Sequence, residues 1–319
     1  MDWFGAQLDG PMVAIRAIHF AATAVLAGSL MFWAVVAEPA LRSAQLSATA
    51  VRPQILGVAW IALGIAAVSG VIWLQLQAAS MSGLPFREAM TWDVLSTVLN
   101  ETQFGLVSKI RLVLAIWLAA CLAFDRLPPA RWLVLGSALA FVAAIAWTGH
   151  AGSTPGKLGE LHLSADALHL VAAAAWIGGL VSLALLLAAV RGNKALSGAS
   201  LAHDAAQRFS TLGIVSVGTL LLSGIVNAWI LVGSFRGLLS SGYGIILMLK
   251  IAVFAVMLGF AAINRFWLTP RLAVSSEHAA QLDALRQLTR NSVIEIALGF
   301  IIFAIVGVLG TLHPPSHFM

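Results

Sequence analysis

Two histidines set inside apolar stretches are the residues of this sequence best placed to do chemistry. One opens His169-Leu-Val-Ala-Ala-Ala-Ala-Trp-Ile-Gly-Gly-Leu180 and the other His19-Phe-Ala-Ala-Thr-Ala-Val-Leu-Ala-Gly-Ser-Leu30. Laid over each other without a gap, His19 falls on His169, Gly28 on Gly178 and Leu30 on Leu180. An ionisable side chain inside a membrane-length apolar run costs about 2.5–3.5 kcal/mol and marks a functional site by default. Imidazole is the commonest side-chain ligand for copper, zinc and haem iron. The matched pair predicts two halves of one buried metal site. The plainer reading is two neutral histidines bonded to nearby carbonyls.

The flanking residues extend that expectation. Arg16 and Asp166 each precede a histidine by three residues, a spacing that keeps them on its helix face. Asp166 is expected to orient the His169 ring by accepting its second N–H, and Arg16 to pair with Asp166 between the halves. His150, in Thr148-Gly149-His150, and His313, in His313-Pro314-Pro315, end two apolar runs on one face. With His162 they form a candidate capture site above the deeper pair, although an exposed loop histidine is also ordinary polar surface. Arg111 and Lys250 lie six to seven residues inside their spans. They either snorkel to the headgroups or position a cation. Together with Ser69, Ser223 and Asn227 they mark a possible pathway. Glu295 is expected to meet Arg208 or Arg265. The single cysteine, Cys121, excludes an internal disulfide, a CxxC pair and a thiolate cluster. The eight methionines form no MxxxM ladder, so soft-metal chemistry rests on histidine. No catalytic residue stands out, and neither a Walker motif nor a phosphorylated-aspartate sequence is present.

Apolar helices must position these residues. Of 319 residues 60% are hydrophobic and 10% charged, against about 25% charged in soluble domains, and the mean hydropathy is +0.95. This predicts an all-α integral membrane protein with about eight transmembrane helices, near 12–37, 53–78, 104–124, 131–149, 163–189, 209–233, 243–263 and 291–312. Between them, Phe86 to Leu99 reads as an interfacial helix and Ser275 to Arg290 as a solvated amphipathic one. The first apolar run is too long for a signal-peptide core, so no cleaved leader is expected. The loops after spans one, three, five and seven carry Arg42, Arg52, Arg126, Arg131, Arg191, Lys194, Arg208, Arg265, Arg271, Arg286 and Arg290. Those on the other side have Arg16, Arg87, Lys157 and Arg236 in or near them. The positive-inside rule then puts both termini outside the cytoplasm, which the family resemblance given below makes the periplasm. The net charge of +5 reads as topology, not nucleic-acid affinity.

The repeat reaches beyond the histidines. Six residues separate Gly105 from Arg111 and Gly244 from Lys250, and 15 separate Arg111 from Arg126 and Lys250 from Arg265. Ser69-Gly70 answers Ser223-Gly224. We expect two parallel four-helix repeats, residues 1–149 and 163–319, joined by an outer loop at 150–162 and related by a pseudo-twofold along the membrane normal.

The order Arg208-Phe209-Ser210, Ser223-Gly224, Tyr243-Gly244, Lys250, Asn264-Arg265, Glu295, Leu309-Gly310 and Pro314 resembles the copper resistance protein D (CopD) family, as do the His169 to Leu180 stretch and Gly149-His150-Ala151. The resemblance implies a multi-pass protein of the bacterial inner membrane, in copper homeostasis or resistance, that moves copper across the bilayer. It also implies a separate periplasmic copper chaperone of the CopC type as partner. Copper would be captured near His150 and His313 and passed to His19 and His169. A wider kinship with the membrane-bound protoporphyrinogen oxidase family keeps open a haem b held between His19 and His169, and a third reading is a scaffold that only docks the chaperone.

Overall fold

The structure, a computed structural model, describes residues 9–44, 51–124, 130–192, 197–274 and 278–315. Every regular element among them is helical, as backbone in lipid requires, because a helix satisfies its N–H and C=O groups locally. In chain order the long helices are α1 (Gly10–Ser43), α2 (Arg52–Ser82), α3 (Gln103–Ala123), α4 (Trp132–Thr148), α5 (Gly156–Arg191), α6 (Ser200–Val232), α7 (Gly242–Ala273) and α8 (Ala279–Leu309). Seven of them are long and apolar enough to cross a membrane, and α4 is the short one. Its last turn, Ala144–Thr148, is a tighter 3-10 turn, which stretches α4 to about 28 Å, close to one hydrocarbon thickness.

Local sequence explains the ends. Asp9 caps α1 by accepting from the Met12 amide at 3.2 Å, with Pro11 in the first turn. Both α2 and α6 stop at a left-handed residue that only glycine adopts cheaply, Gly83 at φ 67° and Gly233 at φ 70°. Each is followed by short helices: Phe86–Ala89 and Trp92–Glu101 after α2, and Phe235–Ser240 after α6. Each detour ends on a hydroxyl cap: Thr102 accepts from the Gly105 amide at 3.0 Å and Ser241 from the Gly244 amide at 2.9 Å. The amphipathic stretch before span eight is not a separate helix but the first turns of α8, described from His278 onward.

α1 and α5 are the most buried long helices and form the centre of the bundle. They touch at equivalent residues. A Cβ added to Gly28 would lie 2.6 Å from Gly178 Cα and strike the Ala174 carbonyl; one added to Gly178 would lie 3.0 Å from Gly28 Cα and strike the Ala24 carbonyl. The contact is reciprocal, and small residues are what allow two membrane helices to approach so closely. His19 and His169 each sit nine residues before it, about 13 Å along their helices. Asp125, Arg126 and His317 lie outside the described residues.

Candidate functional site

His19 and His169 are held by the same three kinds of residue. The Ser69 hydroxyl donates to the Ile65 carbonyl at 2.6 Å, so its oxygen accepts from His19 Nδ1 at 3.0 Å. The Ser223 hydroxyl donates to the Thr219 carbonyl at 2.5 Å and accepts from His169 Nδ1 at 3.0 Å. On the other ring nitrogen, Arg111 donates to His19 Nε2 at 2.7 Å and Lys250 faces His169 Nε2 at 3.3 Å. A guanidinium or ammonium has no lone pair to offer, which makes Nε2 the acceptor and fixes the proton on Nδ1 in both rings. The glycines after the serines make room: a Cβ on Gly70 would lie 3.3 Å from His19 Cε1, and one on Gly224 3.5 Å from His169 Cε1.

The two clusters differ in their surroundings. His19 is 2% exposed and packs edge-on to Trp73, with ring centroids 5.3 Å apart. Its partner Arg111 is locked: it donates to the Phe141 carbonyl, lies 3.5 Å from Thr23 Oγ1 and stacks over the Phe141 ring at 4.2 Å. His169 instead lines a cavity of about 450 Å³, and Lys250 lines it too. So does Asp166, whose Oδ1 accepts from Asn227 at 3.2 Å and whose charge attracts Lys250. The rest of its polar wall is Arg16, Thr148, Asn227, Tyr243 and the two histidines His150 and His162. Thr154 ties them together, with its Oγ1 2.9 Å from His162 Nδ1 and donating to the His150 carbonyl at 3.1 Å. The His150 ring meets Tyr243 edge-on, centroids 6.4 Å apart.

Several expectations are corrected by this geometry. His19 and His169 are not two halves of one site, because each ring turns into its own three-helix cluster and His19 does not line the cavity. Ser223, not Asp166, orients His169. Arg16 lies over Trp73 at 5.1 Å and against Gly310, and no ion pair joins it to Asp166. Arg111 and Lys250 do not snorkel; they turn inward to the histidines. His313 is exposed and is not among the cavity residues. Glu295 accepts from Asn264 at 2.7 Å, while Arg208 pairs with Asp204 and Arg265 donates to Ser210. Among the described residues no three His, Cys, Asp or Glu side chains gather closely enough to hold an ion together. The cavity therefore offers separate imidazoles and one carboxylate, with Lys250 and Arg16 as cations in the same wall. Sequence spacing singles out the serines and the cations separately; only the packed helices join them to the histidines.

Comparison with known proteins covers nearly the whole chain. The profile described as Copper resistance protein D-like, N-terminal domain, matches residues 7–160, and that described as Copper resistance protein D matches 203–309. A protein named Copper resistance protein D from Pseudomonas syringae pv. tomato is 32% identical over 222 residues, 68% of this chain and 71% of the relative. Inner membrane protein YebZ of Escherichia coli (strain K12) is 29% identical over 303 residues, 95% of this chain and 98% of the relative. Copper transport protein CutJ of Bacillus subtilis (strain 168) is 34% identical over 123 residues, 38% of this chain and 21% of the relative. No solved structure gives a significant match.

Proposed function

This chain belongs to the copper resistance protein D family, and from that premise we propose that it carries copper across the inner membrane through the cavity beside His169. It is a multi-pass inner-membrane protein. In our reading the His150 end faces the periplasm, both termini lie there, and the chain is two four-helix repeats, 1–149 and 163–319, joined at 150–162. Copper enters at His150 and His162. Lys250 then moves from His169 Nε2 toward Asp166, which frees the imidazole lone pair for the metal.

One observation carries this reading. The lone pair of His169 is covered by a flexible cation that has a carboxylate acceptor in the same cavity, whereas that of His19 is covered by an arginine held on three sides. An ammonium on a four-carbon stem moves easily, and a stacked, forked guanidinium does not. His169 thus serves as ligand and His19 as structural support. His313, at the exposed rim, is left as a place where a periplasmic CopC-like chaperone would hand over its metal.

A haem between His19 and His169 fits poorly, because the two rings belong to separate clusters and His19 Nε2 is covered by Arg111, which is held on three sides. The test is a copper titration of purified, detergent-solubilised protein. We expect His169→Ala to weaken binding at least tenfold, and His19→Ala to keep the affinity in whatever fraction elutes monodisperse. A Soret band lost in both variants, or copper binding that depends on His19 and not on His169, sinks this assignment. Copper that binds as proposed but is never taken up into proteoliposomes favours the docking scaffold.

A further inference from the structure

Among the described residues two arginines are buried, and their surroundings differ. Arg111, 6% exposed, donates to the Phe141 carbonyl and to His19 Nε2 and lies 3.5 Å from Thr23 Oγ1. Arg16, 9% exposed, has no such partners. Its guanidinium is wedged where α1, α2 and α8 meet. It lies over the Trp73 ring at 5.1 Å and the Phe20 ring at 5.7 Å, and the missing side chain of Gly310 leaves it room. The two rings face its charge. Its Nε is buried without an acceptor, and among the described residues no carboxylate pairs with it.

Arg16 lines the His169 cavity. Lys250 and Asp166 line it too, which sets two cations against one carboxylate among the described residues of its wall. A buried charge left without a partner is strongly destabilising, and so is a buried N–H group that meets no acceptor. A second polar atom of this wall is unpartnered as well. Asn227 donates through Nδ2 to Asp166 at 3.2 Å, and its Oδ1 is buried without a donor. The cavity thus joins a receptor for an anion, Arg16, to groups that suit a cation: the Asn227 oxygen and, once Lys250 withdraws, the His169 imidazole.

We propose that Arg16 is the receptor for a small monocarboxylate, and that this anion enters and leaves the cavity together with copper. A guanidinium presents parallel N–H groups that match the two oxygens of a carboxylate. One excess positive charge calls for one negative charge, which a monocarboxylate carries and a phosphate dianion exceeds. The wall is otherwise mostly apolar, with Phe20, Val306 and Leu309 in it, and suits a short carbon chain. Copper adds positive charge beside Arg16 and Lys250, so copper with an anion matches the cavity better than the bare ion. No covalent bond of the carboxylate is made or broken. The pairing with copper rests on the copper-transport reading; the anion site does not.

Pyruvate, a monocarboxylate too acidic to cross lipid readily in its neutral form, is the probe. Saturation-transfer NMR and thermal unfolding of the solubilised protein in copper-free buffer test the site alone. Wild type should transfer saturation to the pyruvate methyl group, and its thermal midpoint should rise with pyruvate. Arg16→Met should lose both effects, while Arg16→Lys keeps them with about tenfold weaker affinity. Without pyruvate, Arg16→Met should be at least as stable as wild type, because it removes an unpartnered charge and still packs on Trp73 and Phe20. A wild type that pyruvate neither contacts nor stabilises overturns the site, as does equal transfer in Arg16→Met. Chloride that displaces pyruvate at equal concentration overturns the carboxylate assignment. Proteoliposomes with free copper held constant test the pairing: labelled pyruvate should enter with wild type only when copper is present, and not with Arg16→Met. Pyruvate that binds but does not move with copper overturns the joint cargo. Vesicles that take up no copper sink the transport reading alone, and the NMR result then decides the anion site.

Discussion

His19 and His169 share a serine acceptor on Nδ1 and a cation on Nε2, and they differ in whether that cation can leave. The difference makes opposite predictions for two similar substitutions. Lys250→Met uncovers His169 Nε2 and should tighten copper binding about tenfold, which is roughly the 1.4 kcal/mol of a modest charge-assisted hydrogen bond. Arg111→Met should leave copper affinity unchanged, but it strips the partner from His19 and from the Phe141 carbonyl, both buried. A loss of about 1–3 kcal/mol of stability is expected, read as a lower thermal midpoint in detergent. Ser223→Ala removes the acceptor that fixes the His169 tautomer. Outer partners of this kind typically hold tenfold or more in metal affinity, so copper titration of Ser223→Ala should show weakening of about that size. Unchanged affinity would mean that His169 is not a ligand.

At the level of helices, the α1–α5 crossing is held by a glycine on each side whose missing side chain lets backbone meet backbone. Gly28→Leu or Gly178→Leu must separate the two central helices. Overpacking of a tight contact costs about 1–3 kcal/mol, and thermal unfolding of the solubilised variants should report it, with Gly64→Leu as the control because nothing lies within 4 Å of the Cβ position there. The ends of α3 and α7 make a finer case. Thr102 and Ser241 cap equivalent amides after equivalent detours, and a lost cap costs about 1 kcal/mol. Ser241→Ala frays the turn that carries Tyr243, on the cavity wall. It should therefore weaken copper binding slightly as well as stability, while Thr102→Ala lowers stability alone.

For the whole molecule the property that fixes the direction of travel is orientation. The arginine-rich loops predict that the His150 end faces the periplasm. Lys157 and Arg286 are exposed at opposite ends of the bundle, and Cys121, the single cysteine, is buried. In a Cys121→Ser background, Lys157→Cys should react with a membrane-impermeant maleimide in intact cells, and Arg286→Cys should react only after lysis. The reverse pattern would turn the path around and make His150 and His162 the cytoplasmic exit.

The all-helical membrane architecture and the pairing of His19 with His169, Ser69 with Ser223 and Arg111 with Lys250 were legible in the sequence. Apolar run length is a local property, and a repeat keeps its spacing. Membership of the family was legible too, since order and spacing of motifs survive in one dimension. What the sequence could not decide was which way each side chain turns. Two histidines on crossing helices face each other or face apart according to helix rotation, and rotation is fixed by the glycine contact of α1 with α5 and by the third helix of each cluster. The same holds for Glu295, which spacing offered to two arginines and packing gave to Asn264. Only the tertiary structure separated a locked His19 from a His169 on a cavity wall, because residues at matching sequence positions acquire different neighbours once the helices pack.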